Sequence, residues 1–281
     1  MKLASFKTAQ GASYGAVTGK GIVDLRRYLG NQFPDLKALI AGNALLKARE
    51  HLGAAADYQH SDITWLPVIP NPDKIVCVGL NYEEHRVETG REKTEQPALF
   101  LRVAESQVGH EQAIVRPRES THLDFEAEIA LVIGRPGRRI AQKDAWQHIA
   151  GYSCYNDGSV REWQRHTVQW TAGKNFARTG AFGPWMVTAD EIPPGTELSL
   201  SCRLNGERMQ HATTAQMIFK VPKLIEYISS FTTLLPGDVI VTGTPGGVGA
   251  RRNPPVWMKP GDKVEVEIDK VGILENGIAD G

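Results

Sequence analysis

Short runs in which apolar and polar residues alternate dominate the pattern of this chain, and this period of two is typical of β-strands. Turn residues separate the runs: Asn205-Gly206 is typical of a two-residue hairpin, and Pro-Gly-Asp turns at residues 236–238 and 260–262 each precede a β-branched run. The pattern predicts strands at residues 75–78, 98–102, 126–133, 151–155, 198–204, 239–242 and 264–268.

Helical periodicity is rarer than strand periodicity. It predicts helices at residues 35–51, with Asp35 as the cap, and at residues 82–88, 141–149 and 221–234. Because strands and helices do not alternate regularly, the pattern argues against a doubly wound sheet and favours an α+β fold that is mostly β. Three prolines between Leu66 and Asp73 predict an extended connector. We therefore place a boundary between a small α/β N-terminal domain, residues 1–70, and a larger domain, residues 71–281.

Composition narrows the class of protein only modestly. The chain has 32 basic and 32 acidic residues, so its net charge supports neither a nucleic-acid partner nor an anionic membrane surface. No apolar run approaches the ~20 residues of a spanning helix, and the N-terminal residues lack the apolar stretch of a secretory signal. Cys77, Cys154 and Cys202 lack CxxC spacing and lie in strand-like runs. We expect a cytoplasmic protein with buried free thiols.

Acidic residues supply the first candidate chemistry. Glu126 and Glu128 lie two apart in a predicted strand and therefore point to one side of it, while Asp157 follows the next predicted strand. Carboxylates that are buried together repel each other, and a cation between them removes the conflict. Oxygen ligands without Cys or His favour Mg²⁺, Mn²⁺ or Ca²⁺. The alternative is that both glutamates face water on an edge strand.

Two further segments carry paired polar residues at helical spacing. His85 and Glu88 are three apart, so on a helix they share a face and form either a general-base dyad or a surface pair. Arg161 and Gln164 have the same spacing. An arginine there is suited to grip a substrate carboxylate with two parallel hydrogen bonds; the alternative is a structural ion pair with Glu126 or with Glu162.

A lysine and a glycine-rich loop complete the candidates. Lys174 lies among aromatic residues beside Gly173, where it either stabilises an enolate as a point charge or is simply solvated. The loop at residues 243–249 lacks the Gly-Lys-Ser/Thr ending of a P-loop and the third glycine of a dinucleotide-binding fingerprint. Either the backbone N–H groups and the Thr244 hydroxyl of this loop approach an anionic ligand closely, or the loop is a tight structural turn.

Taken in order, these segments closely resemble the fumarylacetoacetate hydrolase superfamily over residues 75–278. The matching motifs are Gly79-Leu80-Asn81-Tyr82 with His85 and Glu88, Phe125-Glu126-Ala127-Glu128 with Ile133-Gly134, Tyr155-Asn156-Asp157, Arg161 with Gln164, Gly173-Lys174-Asn175-Phe176, Gly183-Pro184-Trp185, Leu204-Asn205-Gly206, Leu235-Pro236-Gly237-Asp238 and Gly243-Thr244-Pro245 with Gly247-Val248-Gly249. The resemblance implies a mixed β-sandwich roll, a homodimer, and the variable small domain of this family at residues 1–70.

The resemblance also implies roles for individual residues. The metal ligands are Glu126, Glu128 and Asp157 for Mg²⁺ or Mn²⁺, with Ca²⁺ as a substitute; the catalytic residues are His85, Glu88 and Lys174; the substrate-binding residues are Arg161, Gln164, Thr244, Tyr82 and Arg178. The chain departs from the pattern where members carry Lys-Pro in place of Arg102-Val103, Arg-Asp in place of Arg161-Glu162, and an Asp-Thr in place of Ala177-Arg178. Arg178 therefore either binds a second substrate carboxylate or faces solvent, and Arg102, Arg178 and residues 91–96 are candidates for setting substrate preference.

Three functional hypotheses follow. The first is a divalent-metal-dependent hydrolase that cleaves a C–C bond in an acylpyruvate-like β-diketo acid of aromatic catabolism, through a metal-bound enolate. The second keeps the metal and the small anionic oxo-acid substrate but decarboxylates oxaloacetate or isomerises a 2-hydroxyhepta-2,4-dienedioate-type acid. The third is a non-catalytic β-rich protein whose acidic cluster holds Ca²⁺ for stability, which leaves His85, Arg161 and Lys174 without a shared purpose.

Overall fold

Strands form most of the regular structure, as the alternation predicts. The computed structural model describes residues 1–281. The strands are β1 (Lys2–Thr8), β2 (Gly11–Thr18), β3 (Gly21–Asp24), β4 (Thr64–Trp65), β5 (Ile75–Gly79), β6 (Ala98–Arg102), β7 (Gln107–Val108), β8 (Ile114–Arg116), β9 (Leu123–Asp124), β10 (Ala127–Ile133), β11 (Ile149–Asn156), β12 (Ser159–Val160), β13 (Gly180–Thr188), β14 (Ser199–Leu204), β15 (Glu207–Thr213), β16 (Val239–Val241), β17 (Lys263–Ile268) and β18 (Gly272–Asp280).

Helices are short except for one. They are α1 (Arg26–Leu29), α2 (Leu36–Ala41), α3 (Leu45–Arg49), α4 (Glu83–Thr89), α5 (Arg161–Gln164), α6 (Thr171–Lys174) and α7 (Val221–Phe231). The helix predicted at residues 35–51 is two helices, because the chain turns at Asn43, whose φ is 51°. The predicted cap is confirmed, since the Asp35 side chain accepts a 2.7 Å hydrogen bond from the Ala38 amide. The helix predicted at residues 141–149 is a 3₁₀ helix, Gln142–His148.

Two sheets build the roll, and the smaller one has five strands in the order β15-β14-β17-β18-β8. The larger sheet has eleven strands, with a main path β3-β2-β1-β13-β11-β10-β16-β5-β6. β1 pairs with β13, with Lys2 opposite Val187, so the sheet runs without a break from the N-terminal residues into the rest of the chain. The predicted division at residue 70 thus falls within one continuous sheet; as a boundary between folding units it stays a prediction.

Turn chemistry sets the sheet geometry where the sequence predicts it. Asn205 and Gly206 have φ values of 52° and 82° and join β14 to β15, which matches the two-residue turn. The carboxylates of Asp238 and Asp262 accept hydrogen bonds from the amides of Leu235 and Lys259, at 2.7 and 2.9 Å, and so close the two Pro-Gly-Asp turns. These turns place β16 and β17.

β10 lies at the centre of the fold, between β11 and β16. Ile129 and Leu131 pack into one hydrophobic core with residues of the five-stranded sheet, and Ala130 and Val132 pack into a second core with α2 and β13. The interpretation of this segment as a water-facing edge strand is therefore wrong. The three cysteines are free and buried, as predicted. No helix is both long enough and apolar enough to cross a membrane.

Candidate metal and oxo-acid site

Strand register brings the three predicted carboxylates together. β10 and β11 pair antiparallel with Ala127 opposite Asn156, so the residues just outside this pair, Glu126 and Asp157, are neighbours across the ladder. The Asp157 amide donates a 2.9 Å hydrogen bond to the Glu126 carbonyl. One oxygen from each of Glu126, Glu128 and Asp157 lies within 4.8 Å of the others, and all three residues are buried.

Three cationic side chains surround two of these carboxylates. The Lys174 ammonium lies 2.6 Å from Glu126 and 2.7 Å from Asp157. Arg161 is 2.7 Å from the other Glu126 oxygen, and Arg102 pairs with Asp157 from a fully buried position. The arrangement holds the carboxylates rigidly, since each charged hydrogen bond also fixes a side-chain rotamer.

Glu128 differs from its neighbours because it has no cationic partner. Its carboxylate accepts a hydrogen bond from the Gly243 amide. Burial, with the negative charges of Asp157 and Glu126, raises the pKa of Glu128 well above its usual range. For Glu126, burial acts in the same direction, but the charges of Lys174 and Arg161 outweigh it and hold the pKa well below its usual range.

The donor set fits a hard divalent cation. All three groups offer oxygen, and no cysteine or histidine joins them. Glu128 has no ion-pair partner, so a divalent cation would favour its ionised form, which burial and the neighbouring negative charges disfavour. With all four acids ionised, Asp124, Glu126, Glu128 and Asp157 bring four negative charges, against three positive charges from Lys174, Arg161 and Arg102. A divalent ion leaves the cluster with one positive charge, which suits an anionic substrate.

The His85–Glu88 pair joins a buried histidine to a half-buried glutamate and is not a pair of exposed surface residues. On α4, the His85 Nδ1 atom lies 2.7 Å from a Glu88 oxygen, and the second Glu88 oxygen accepts a 3.0 Å hydrogen bond from the Gly247 amide. His85 is only 6% exposed, and its Nε2 atom has no protein partner. Glu88 is thus fixed by the loop and in turn orients the imidazole, as a general base requires.

The glycine-rich loop binds the protein's own carboxylates. The amides of Gly243, Gly247 and Gly249 donate to Glu128, Glu88 and Asp124 respectively. These amides are therefore not free for a substrate anion, and the structural turn is the reading that the contacts favour. Gly247 has a φ of 95°, a conformation that glycine adopts without strain.

Thr244 has a structural network of its own. Its hydroxyl donates a 3.0 Å hydrogen bond to the Ala127 carbonyl and accepts a 2.9 Å hydrogen bond from Gln210. The side-chain oxygen of Gln210 accepts a 2.9 Å hydrogen bond from the Ala127 amide, so Gln210 connects β15 to the start of β10. No local motif marks Gln210 as a site residue, because only the sheet brings it near the site.

Arg161 makes the structural ion pairs that the sequence left open. Its Nε atom donates to Asp124 at 2.7 Å, Nη1 donates to Gln164 at 3.0 Å, and Nη2 pairs with Glu126. Asp124, also missed as a site residue, additionally accepts from the Gly249 and Ala250 amides at 2.8 and 3.0 Å. The buried Nη2 atom makes no hydrogen bond within the protein, so Arg161 keeps donor capacity beyond its contacts with Asp124 and Gln164.

A cavity of 310 Å³ opens above the carboxylates. The predicted site residues that line it are His85, Glu126, Glu128, Arg161, Gln164, Lys174 and Thr244. Asp157 and Glu88 lie behind this lining, where they contact Lys174 and His85. Phe100 and Trp170 form an apolar wall, with ring centroids 5.5 Å apart, and the Lys174 ammonium lies 4.9 Å from the Phe100 ring centre.

Two candidate substrate contacts do not line this cavity. Tyr82 is 1% exposed and packs in the hydrophobic core, with its hydroxyl unpartnered. Arg178 is exposed, and its main chain bonds to Glu105 and Val115. Neither side chain lines the cavity, so as substrate contacts both stay predictions.

Comparison with known proteins decides the family. The family model "Fumarylacetoacetate (FAA) hydrolase C-terminal" matches residues 74–279. The chain belongs to the fumarylacetoacetate hydrolase family. Oxaloacetate tautomerase FAHD2B, mitochondrial, from Bos taurus is 43% identical over 220 residues, which cover 78% of this chain and 70% of that protein. The human oxaloacetate tautomerase FAHD2A, mitochondrial, has the same identity and coverage.

Solved structures of the fumarylacetoacetate hydrolase family share the whole fold. A fumarylacetoacetate hydrolase from Exiguobacterium antarcticum is 30% identical with a TM-score of 0.89, and each chain is covered completely. Maleylpyruvate hydrolase from Sphingobium sp. SYK-6, solved with manganese(II) ion and pyruvate, is 29% identical with a TM-score of 0.83 over the full length of both chains. The predicted α+β, mostly β roll of this family is confirmed.

One departure of this family member from the usual pattern has a structural explanation. Arg102, a sequence-based candidate for substrate preference, is fully buried. It pairs with Asp157, donates to the Gly158 carbonyl at 2.9 Å and to Thr179 at 3.0 Å, and does not reach the cavity. Its position supports the carboxylate cluster instead of selecting the substrate.

Proposed function

We propose that this protein is a divalent-cation-dependent enzyme that moves a proton at the carbon beside the 2-oxo group of a small oxo acid, interconverting its keto and enol forms. The observation that carries the proposal is that His85, held by Glu88, lines the same cavity as Glu126 and Glu128 of the buried three-carboxylate cluster. A base and a cation site that share one small cavity are what enolisation requires.

Glu126, Glu128 and Asp157 would hold Mg²⁺ or Mn²⁺, because their oxygens are close enough to share one ion. When bound, the ion supplies Lewis-acid polarisation of the 2-oxo group. Lys174 adds a fixed positive charge beside Glu126 and Asp157, in a buried setting where an electrostatic contribution is large.

The remaining lining residues supply proton transfer and orientation. His85 takes a proton from the carbon beside the 2-oxo group and returns it to oxygen, or the reverse, through its unpartnered Nε2 atom. Glu88 holds the ring orientation and stabilises the imidazolium as it forms. The Arg161 N–H groups that have no protein hydrogen bond, with the side-chain amide of Gln164, orient the substrate carboxylate, and Thr244 lines the cavity beside them.

Similarity favours tautomerisation as the first candidate reaction. The two mammalian relatives that are 43% identical are named oxaloacetate tautomerases, and they match 78% of this chain. Tautomerisation needs only a base and a stabilised enolate, both of which the described side chains can serve.

Hydrolysis of an acylpyruvate is the second candidate. Two solved structures that match over the full chain are named hydrolases, and one was solved with pyruvate. In this reaction His85 takes a proton from water, the water oxygen bonds to the distal carbonyl carbon, and the C–C bond breaks. The bonding electrons pass to the pyruvate enolate, which then accepts a proton from His85.

An assay with Mg²⁺ separates the two. Enol oxaloacetate should lose its ultraviolet absorbance faster with enzyme, without CO₂ release, if the protein is a tautomerase; pyruvate release from acetylpyruvate indicates the hydrolase. Replacing the base, His85→Asn, should lower kcat by about 10²–10⁴-fold in either reaction. Glu83→Gln is the control, since Glu83 lies on the same helix but pairs with Arg86 at the surface. No turnover of either acid by the wild type contradicts the proposal.

We also infer a homodimer from the family resemblance. β6 is the terminal strand on the main path of the large sheet, and Leu101 and Val103 on or beside it are 56% and 50% exposed. A second copy of the chain would bury these exposed apolar side chains by packing against this edge of the sheet. Sedimentation equilibrium should give twice the chain mass of 30.9 kDa, and a single-chain mass contradicts the inference.

A further inference from the structure

A second cavity, of 420 Å³, shares no lining residue with the carboxylate cavity and has no role in the chemistry described so far. It is lined by Ile129 and Leu131 of β10, by Tyr152 of β11 and by Trp146 of the 3₁₀ helix that precedes β11. Ile129 and Leu131 point away from the side of β10 that carries Glu128, because successive residues of a strand alternate. The volume lies within the range of about 300–1,000 Å³ that small-molecule sites occupy, so this cavity is large enough for a ligand of its own.

The buried part of the lining is hydrocarbon except for one hydroxyl group. Tyr152 is 4% exposed, and its hydroxyl makes no hydrogen bond within the protein. Burial alone raises the pKa of Tyr152 to about 12, so the hydroxyl keeps its proton and can donate. A buried hydroxyl group without a partner is unfavourable, and a polar group on a ligand would remove that cost. The other buried lining residues carry no donor: Ile129, Leu131, Ile192, Leu198, Met217 and Val221.

The charged groups at the rim balance each other. Glu197 and Lys220 are the only charged lining residues, and both are exposed. The Lys220 ammonium already donates to the carbonyls of Thr214 and Ala215, at 3.2 and 2.5 Å. The lining therefore has no net charge, and the cavity favours an uncharged ligand over an anion or a cation.

The wall of the cavity that precedes α7 is fixed by hydrogen bonds to other parts of the chain. The Ile218 amide donates to the Asn81 carbonyl at 2.8 Å, and the Phe219 amide donates to the Asn81 side chain at 2.7 Å. The Thr213 amide donates to the Gln216 side chain at 2.8 Å. These bonds form without a ligand, so binding requires little ordering of the wall.

We propose that this cavity binds a small neutral phenol, whose ring packs against Trp146 and the aliphatic side chains and whose hydroxyl group pairs with that of Tyr152. A phenol combines a flat apolar body, which suits an indole wall, with one group that can both donate to and accept from a tyrosine hydroxyl. The proposal is independent of the proposed function, because the two cavities have no lining residue in common.

Calorimetry with a matched pair of probes tests the proposal. 4-Bromophenol is uncharged near neutral pH, and bromobenzene has the same brominated ring without the hydroxyl group. We expect 4-bromophenol to bind the wild type with a Kd of about 1 mM or lower, and about threefold or more tightly than bromobenzene, as a net hydrogen bond confers.

Substitution assigns this preference to one hydroxyl group. Tyr152→Phe keeps the ring and should bind both probes equally, with an unchanged affinity for bromobenzene. Tyr227→Phe is the matched control, since Tyr227 lies on α7 but does not line the cavity, and it should keep the preference. Thermal unfolding of each variant shows whether its fold is unchanged.

Two further experiments locate the probe. Crystals soaked in 4-bromophenol should show an anomalous bromine peak in the cavity that Tyr152 lines. Ala215→Trp places a large side chain at the exposed rim and should abolish binding of both probes.

Three outcomes overturn the proposal and leave the proposed function intact. They are no binding of 4-bromophenol to the wild type, a bromine peak only outside this cavity, and a preference for 4-bromophenol that survives Tyr152→Phe. If a second copy of the chain fills the cavity instead, 4-bromophenol does not bind and Ala215→Trp changes the mass found by sedimentation equilibrium, which also overturns the proposal.

Discussion

Individual residues in the carboxylate cluster have unequal partners, and this inequality defines their roles. Glu126 and Asp157 are each held by two cationic side chains, whereas Glu128 has only the Gly243 amide. Of the three carboxylates, Glu128 can be replaced with the least disturbance to the protein's own ion pairs. Its replacement should weaken cation binding directly. Glu128 is the residue at which metal binding can be tested apart from folding.

We predict that Glu128→Gln weakens Mg²⁺ or Mn²⁺ binding by about 100-fold or more. Replacing a residue that only contacts a metal ligand already costs up to about 100-fold, so loss of a ligand itself should cost at least as much. Calorimetry measures the affinity, and Glu207→Gln, at the exposed end of the β14–β15 hairpin, is the control. Lost turnover with an unchanged fold supports the enzyme, whereas lost folding supports the structural Ca²⁺ hypothesis. An unchanged metal affinity would show that Glu128 is not a ligand.

Sequence reasoning at this scale worked where a residue's neighbours in the chain carry the information. Strand alternation places Glu126 and Glu128 on one side, and helical spacing pairs His85 with Glu88, as the structure shows. It does not show that Arg102 is buried against Asp157 or that Arg178 lies outside the cavity lining. The orientation of these two side chains depends on tertiary contacts, which the local sequence does not show.

At the scale of elements, the site depends on the close approach of α5 and α6. A Cβ atom on Gly173 would lie 2.3 Å from the Gln164 amide nitrogen, so only glycine lets the two helices meet here. The contact is with backbone, which cannot move away as a flexible side chain can. Gly173 thereby fixes Lys174, the next residue, over the carboxylates.

We predict that Gly173→Ala lowers the stability by about 1–3 kcal/mol and reduces turnover, because α6 must shift away from Gln164 and carry Lys174 with it. Thermal unfolding and steady-state kinetics measure the two effects. Gly277→Ala is the matched control, since a Cβ there meets nothing within 4 Å. Wild-type turnover in Gly173→Ala would mean that Lys174 does not need this packing.

At the scale of the whole molecule, the large sheet and the five-stranded sheet meet around the half-buried His110. The His110 Nδ1 atom accepts a 3.1 Å hydrogen bond from the Glu275 amide of β18, and its ring packs on Trp65 with centroids 5.6 Å apart. Burial lowers the pKa of His110 from its ordinary value of 6.5, despite the opposing charges of Glu111 and Glu275.

This shift sets the sign of a pH dependence. Below about pH 6.5 the unfolded chain binds a proton at this position more readily than the folded protein, so stability contributed by neutral His110 is lost as the pH falls. The free energy of unfolding should therefore decrease more steeply between about pH 7 and pH 5 in the wild type than in His110→Asn. Denaturant titrations measure both slopes, and parallel slopes would contradict the prediction.

The sequence by itself determined the strand positions, the turn types, the free thiols and the family. Alternation, the Asn-Gly and Pro-Gly-Asp turns and the ordered motifs each depend on residues that are close together in the chain. Only the tertiary structure decided how those pieces combine. It showed that β10 is buried on both faces, that the loop amides bind Glu88, Asp124 and Glu128, and that His85 lines the same cavity as Glu126 and Glu128. These are contacts between residues far apart in the chain, and they arise from sheet register and packing rather than from any local pattern.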